Sequence, residues 1–348
     1  MRKWVARFQS EGAAGLAGRF DRRSVQIASL LVFAVASLLG ALAPNFELLL
    51  LSRVLGSIAG AAFTPNAVAI GGILVPPEKR GPAIYLVFGG FTRAAVIGVP
   101  PGIWQGLHIG WRETLMMVAG AAVVAAALIR FGVPSGVKLP SADIKKWAMI
   151  LHDDQTVVMM VTTMFSIAGT YAVFSYIGPF LSPTVAENPD HLALLLAVFG
   201  AAGFVGNLVS GRLVDRFGAA LMVKLNQIGV IIGLASLVLA HGALVPTMLG
   251  LIIWGGTVFS INSAQQARLI GHALALQSVL LPVNASLLYI GQFIGGAVGG
   301  AMISTLDAGL GELPIVGIAL VVMGLIASII LNRNNHSSGI KSTLPQAV

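Results

Sequence analysis

Long apolar runs broken by short polar turns dominate the chain. Residues 155–186 and 273–306 contain no Asp, Glu, Lys or Arg. A helix crossing the hydrocarbon core of a bilayer needs roughly 20 mostly apolar residues. By that rule the pattern predicts ten spans, at 24–43, 47–75, 82–107, 111–133, 155–182, 191–213, 219–240, 244–267, 273–304 and 313–332. Their helical periodicity is weak, because a helix apolar on all sides has no polar face to contrast with. The run at 273–304 is too long for one upright crossing. It must tilt, bend at Pro282, or extend beyond the bilayer.

The turns alternate in charge. One set holds Lys79, Arg80, Arg130, Lys138, Lys145, Lys146, Arg212, Arg216, Lys224, Arg268 and Arg333, and the N-terminal segment adds Arg19, Arg22 and Arg23. The other set holds Glu47, Glu113, Glu187, Asp190, Asp307 and Glu312, with Arg112 as its one basic residue. Basic turns are retained on the cytoplasmic side. Both termini, 1–23 and 333–348, are therefore expected in the cytoplasm. The longest polar stretch, 134–154, places Ile144, Trp147, Ala148 and Leu151 on one helical face. It reads either as a surface helix on the membrane or as an ordinary linker between bundles.

Composition narrows the class. Of 348 residues, 56% are hydrophobic and 10% charged, against about 25% charged in soluble domains. Lipid, not water, must solvate most of this surface. The net charge of +8 fits retained basic loops and does not require a nucleic-acid partner. With no cysteine there is no disulfide framework or thiolate chemistry. The first twenty residues lack the apolar core of a signal peptide. No His–Glu metal spacing, nucleophile–base pair or intramembrane acidic pair appears, so neither an enzyme nor a cofactor is expected.

Two features recur at nearly one offset. "LAGRF" at 16–20 matches "LVDRF" at 213–217, an offset of 197. "GVPPGIWQG" at 98–106 and "GQFIGGAVG" at 291–299 both space glycines by four, at an offset of 193. Parallel six-helix repeats are one way to build a transporter. Residues 155–332 supply six spans and 24–133 supply four, so the first half is expected to be two helices short.

These residues resemble the major facilitator superfamily. "GRLVDRFG" (211–218) fits its loop pattern of Gly, three residues, Asp, Arg, any residue, Gly. "RVLGSIAGAAF" (53–63) is similar to its fourth helix, with Ser57 where glycine is usual. "GVPPG" (98–102) is similar to the fifth helix of antiporters, and "HIGWRETL" (108–115) to the start of the sixth. "FSYIGPFL" (174–181) and "NASLLYIGQFIGGAVGG" (284–300) resemble the seventh and eleventh helices of drug and sugar efflux members. The resemblance implies an all-α membrane bundle, its ten spans being family helices three to twelve. It implies a monomeric bacterial inner-membrane transporter exporting drugs or sugars by proton antiport. The alternative is a truncated, inactive fragment or a mis-started reading of such a protein.

The resemblance also assigns candidate residues. Gly211, Asp215, Arg216 and Gly218, with Arg19, Arg22 and Arg23, would form a cytoplasmic latch. The first-half loop departs from the pattern, with Gly18 in the acid's place and Asp21 in a glycine's. Asp215 is expected near the N-terminus of the seventh span, where the helix dipole favours a carboxylate. Arg53 and Arg93 are the basic residues inside spans and away from their turn-forming ends. A charge at the bilayer centre costs at least ~2.5 kcal/mol, so each should face a cavity or a partner. With Trp104, Tyr176, Asn284, Tyr289 and Gln292 they form the candidate substrate or proton path. Gly98, Gly102 and Gly106, and Gly291, Gly295 and Gly299, read as packing ladders, with Pro100 and Pro101 bending the first. No acid lies within the interior of any span, so proton coupling follows from the resemblance alone.

Overall fold

The computed structural model describes residues 21–76, 108–136, 152–182, 190–273, 276–305 and 309–338, with Thr184 and scattered positions within 83–106 and 149–150. Among them every regular element is helical. Nine of these helices are long and apolar enough to cross a membrane. The predicted span at 82–107 lies mostly outside the described residues. The chain divides into two compact units, Met1–Phe91 with Gly102–Trp147, and Thr92–Pro101 with Ala148–Val348.

The first unit contains α1 (Arg22–Ala41), α2 (Phe46–Ile73) and α3 (Trp111–Gly132). Asp21 caps α1 by accepting from the Arg23 amide, which explains an acid at that departure from the loop pattern. Asn45 caps α2 in the same way, accepting from the Leu48 amide at 2.9 Å. Helix α1 packs against both α2 and α3. Its seam with α3 is built from small side chains, Ala34 meeting Ala119 and Ala122, with Leu30 and Phe33 beside them. Small residues let the backbones approach closely, which is how lipid-embedded helices gain dispersion energy.

The second unit contains α4 (Asp154–Phe174), the short α5 (Ile177–Leu181), α6 (Asp190–Phe217), α7 (Ala219–Leu239), α8 (Leu244–His272), α9 (Gln277–Thr305), a 3-10 turn (Leu310–Glu312) and α10 (Leu313–Ser338). The main contacts run α9 to α4, α4 to α10, α10 to α7, α7 to α8 and α8 to α6. Glycines line these contacts. A Cβ at Gly169 would strike the Gly317 carbonyl across the α4–α10 seam, and one at Gly206 the Gly256 carbonyl across α6–α8. Phe174, Phe199 and Trp254 fill the gap between α4, α6 and α8, with ring centroids 5.0–6.4 Å apart.

Several boundaries differ from the hydropathy reading. The span predicted over 155–182 is broken at Ser175–Tyr176. Pro179 carries no N–H and would clash with the carbonyl four residues back, that of Ser175. Helices α6, α8 and α10 run past their predicted ends at 213, 267 and 332, to Phe217, His272 and Ser338. Hydropathy marks where a helix leaves lipid, whereas the backbone ladder continues into polar residues. Ala273 is not helical, and α9 starts at Gln277. In the predicted linker, Ile150 is fully buried against Met160, Leu276 and Leu280 of the second unit. Its proposed surface face, Ile144, Trp147, Ala148 and Leu151, lies outside the described residues.

Candidate functional site

In the first unit, Arg53 is half-buried and turned toward α1. Its Nη2 donates to the Ala36 carbonyl of α1 at 3.3 Å, and Nε donates to the buried Ser52 hydroxyl at 3.3 Å. Gly40 makes the space: a Cβ there would lie 2.5 Å from Arg53 Nη2 and 2.7 Å from Ser52 Oγ. Sequence reading missed Gly40, since nothing in a lone glycine shows which neighbour it accommodates. Arg22 Nη1 donates to Asn66 Oδ1 of α2 at 2.8 Å, and Arg23 donates to the Arg130 carbonyl of α3. These two arginines thus tie α1 to its own bundle. Trp104 is half exposed and stacks on His108, centroids 4.6 Å apart. Arg19, Arg93 and Pro100 lie outside the described residues. Pro101 is exposed; among the described residues a Cβ at Gly98 or Gly102 would meet nothing within 4 Å, and one at Gly106 only Thr114 Oγ1 at 3.8 Å.

In the second unit, the ladder Gly291, Gly295 and Gly299 lies directly on α4. A Cβ at these positions would meet the carbonyls of Met164 (2.7 Å), Ala168 and Ala172 (2.6 Å) in turn. Tyr176, at the break after α4, donates its hydroxyl to the Gly296 carbonyl at 2.9 Å. Its ring lies over Gly299, whose Cβ would be 2.8 Å away. Asn284 is 1% exposed, and its Oδ1 accepts from Thr163 of α4 at 2.8 Å. Tyr289 and Gln292 are half-buried on α9.

Substituting Asn284→Leu keeps the branching and the number of side-chain heavy atoms, adds bulk, and removes that bond. Thr163 retains the Met159 carbonyl as acceptor at 3.2 Å. Thermal unfolding in detergent should therefore show a loss of ~0.6 kcal/mol for the bond, the mean for an interhelical bond in lipid, plus an overpacking cost of ~1–3 kcal/mol at the buried site.

A buried polar seam runs along α4 and its neighbours. Gln227 of α7 is fully buried and donates to Ser166 at 2.8 Å. Gln265 of α8 donates to the Met159 carbonyl, and Arg268 to Ser328 of α10 at 2.9 Å. His272 meets Asp153 at 2.8 Å. The Thr156, Thr163, Ser166 and Thr170 spacing was the available signal, at intervals matching one helical face. Each hydroxyl satisfies itself on its own helix or on a neighbour, as buried polar groups in lipid must.

The charged loop motif takes a different position from the one expected. Asp215 lies in the last turn of α6, not at the start of the next helix. There the negative end of the dipole disfavours a carboxylate and favours Arg216. Arg216 lies over the Phe217 ring, 5.2 Å from its centroid. Gly218 supplies the corner, with φ 84 and ψ 147, a backbone region open essentially to glycine. Gly211, Arg212 and Asp215 are exposed, and among the described residues no ion pair engages Asp215. Gly218→Ala should cost ~1–3 kcal/mol of stability through that backbone strain, read as a lowered unfolding midpoint.

A family model described as Major Facilitator Superfamily matches residues 13–296. The chain is similar to the inner membrane transport protein YdhP of Escherichia coli (strain K12), 28% identical over 307 residues, covering 88% of this chain and 78% of that protein. It is also similar to a chloramphenicol resistance protein of Streptomyces lividans, 27% identical over 318 residues, covering 90% and 81%. In fold it matches the inward-facing, unoccupied crystal structure of a bacterial homolog to the human lysosomal transporter Spinster. That match has a TM-score of 0.60 at 17% identity and covers 99% of this chain and 89% of the other. Apolar helices packed through glycine seams, the loop motif at 211–218 and a family match over most of the length agree. The chain belongs to the Major Facilitator Superfamily, a family of multi-pass membrane transporters and not of enzymes.

Proposed function

We propose that this transporter exports small molecules, drugs or sugars, across the bacterial inner membrane in exchange for protons. The observation that carries the reading is the similarity, over 90% of the chain, to a protein named for chloramphenicol resistance. The antiporter-like "GVPPG" at 98–102 supports the direction. The alternation of basic and acidic turns supports cytoplasmic termini. In this reading the protein works as a monomer. Arg53, Arg93, Trp104, Tyr176, Asn284, Tyr289 and Gln292 contribute to the path. Asp215 and Arg216, with Arg19, Arg22 and Arg23, act in a cytoplasmic latch that forms in one conformer and breaks in the other.

The test is uptake of labelled chloramphenicol and labelled pentoses by efflux-deficient cells with and without the protein. Lower accumulation of either, abolished by a protonophore, is expected. Unchanged accumulation of both would overturn export of these classes, and export insensitive to the proton gradient would overturn antiport.

A further inference from the structure

A polar side-chain pair bridges the start of α4 and the end of α8. His272 Nε2 and Asp153 Oδ2 are 2.8 Å apart, with side chains 8% and 6% exposed. Asp153 is also the N-cap of α4, accepting from the Thr156 amide at 2.9 Å and its hydroxyl at 2.6 Å. His272 lies in the last turn of α8. The carboxylate thus occupies the positive end of one helix dipole and the imidazole the negative end of another, so both ends favour the charged pair. Elsewhere α4 and α8 touch little, chiefly at Met159, Leu269 and Gln265.

The described surroundings of the pair are largely apolar on one side. Ile150, Ala273, Leu276 and Leu280 form an apolar cluster on the adjoining residues. His152 and Asp154 flank Asp153 and are exposed. Arg268, one turn before His272, donates to Ser328 of α10. The α10 side chains past 330 lie outside the described residues. Burial pushes the Asp153 carboxyl up, but the hydrogen bonds from Thr156 and His272 outweigh it and hold its pKa below the ordinary value. The acid therefore stays ionised through the neutral range, and its stabilisation is lost only well on the acid side. Histidine is the side chain that ordinarily changes charge between about pH 5 and 8.

We propose that Asp153 and His272 form a proton-binding staple that fastens the end of α8 to the start of α4. With the proton on His272 the bond is charge-assisted; without it, only an ordinary hydrogen bond remains. The staple is therefore tight on the acid side of the histidine range and loosens as pH rises through it. On the orientation proposed above it lies at the cytoplasmic face, so cytoplasmic pH sets the freedom of α8 there. That side assignment rests on the proposed function; the pH response does not.

Hydrogen exchange by mass spectrometry on the full chain in lipid nanodiscs tests it, at about pH 5.5 and about pH 8, near the limits of histidine titration. After correction for intrinsic exchange, amides of 265–273 should be several-fold better protected at the lower pH. His272→Gln and Asp153→Asn should remove the difference, and His152→Gln should keep it. Equal protection at both pH values in the native chain, or a pH response surviving in His272→Gln, would overturn the proposal. The native comparison needs no variant to fold, and protection of 291–299 reports whether each variant has folded. Failure of export would leave this readout intact, so the two readings fail separately.

Discussion

Gly295→Val will separate α9 from α4 and leave little folded protein after extraction. A Cβ at Gly295 would overlap the Ala168 carbonyl and lie 2.9 Å from the Ala172 amide nitrogen. Both are backbone atoms inside a helix, so neither can swing aside as a side-chain end would. The flanking turns are as close, with Gly291 and Gly299 facing the carbonyls of Met164 and Ala172. One bulky residue therefore lifts three turns at once. Overpacking costs ~1–3 kcal/mol at an ordinary core position, and here the lost contacts at the neighbouring glycines add to it. Asn284 and Tyr176, which bond across the same seam, lose their partners with it. The measurement is the unfolding midpoint and the monodisperse fraction on size exclusion. A midpoint equal to the native one would show that the seam is not packed this way. Gly98→Ala and Gly102→Ala should leave stability unchanged, because among the described residues a methyl there meets nothing within 4 Å. Any transport lost in those two variants would belong to function and not to packing.

Asp215→Asn should abolish most transport while expression and stability hold. The carboxylate is exposed in the last turn of α6, where the dipole opposes it, and no described ion pair depends on it. Removing the charge relieves a small repulsion and breaks no ion pair among the described residues. That placement of the acid is what the latch reading proposed above accounts for. The measurement is efflux by the variant beside its unfolding midpoint. Native efflux from Asp215→Asn would sink the latch reading, and a lowered midpoint would show a structural contact missing from the described residues.

The same motif shows how far the sequence carries. "GRLVDRFG" is enough to place a tight corner with charges around it, since Gly218 must be glycine at its φ and ψ. It does not reveal on which side of the corner the acid falls. The helix ladder ignores hydropathy and runs on to Phe217, and that detail inverts the sign of the dipole acting on Asp215.

The sequence by itself determined nine of the ten expected spans, the membrane environment and the family pattern, the span at 82–107 lying mostly outside the described residues. Solvation by lipid is a property of length and composition, summed along the chain, and needs no knowledge of neighbours. The tertiary structure alone decided which way each span is turned. Two glycine ladders of identical spacing have different surroundings, one pressed on α4 and the other largely open where described. Arg53 finds the Ala36 carbonyl 17 residues away through the gap at Gly40, and His272 finds Asp153 across 119 residues. A helix apolar all round carries almost no periodic signal of its rotation. Partners across a bundle are chosen by which backbones approach closely, and that is settled only when all the helices have packed.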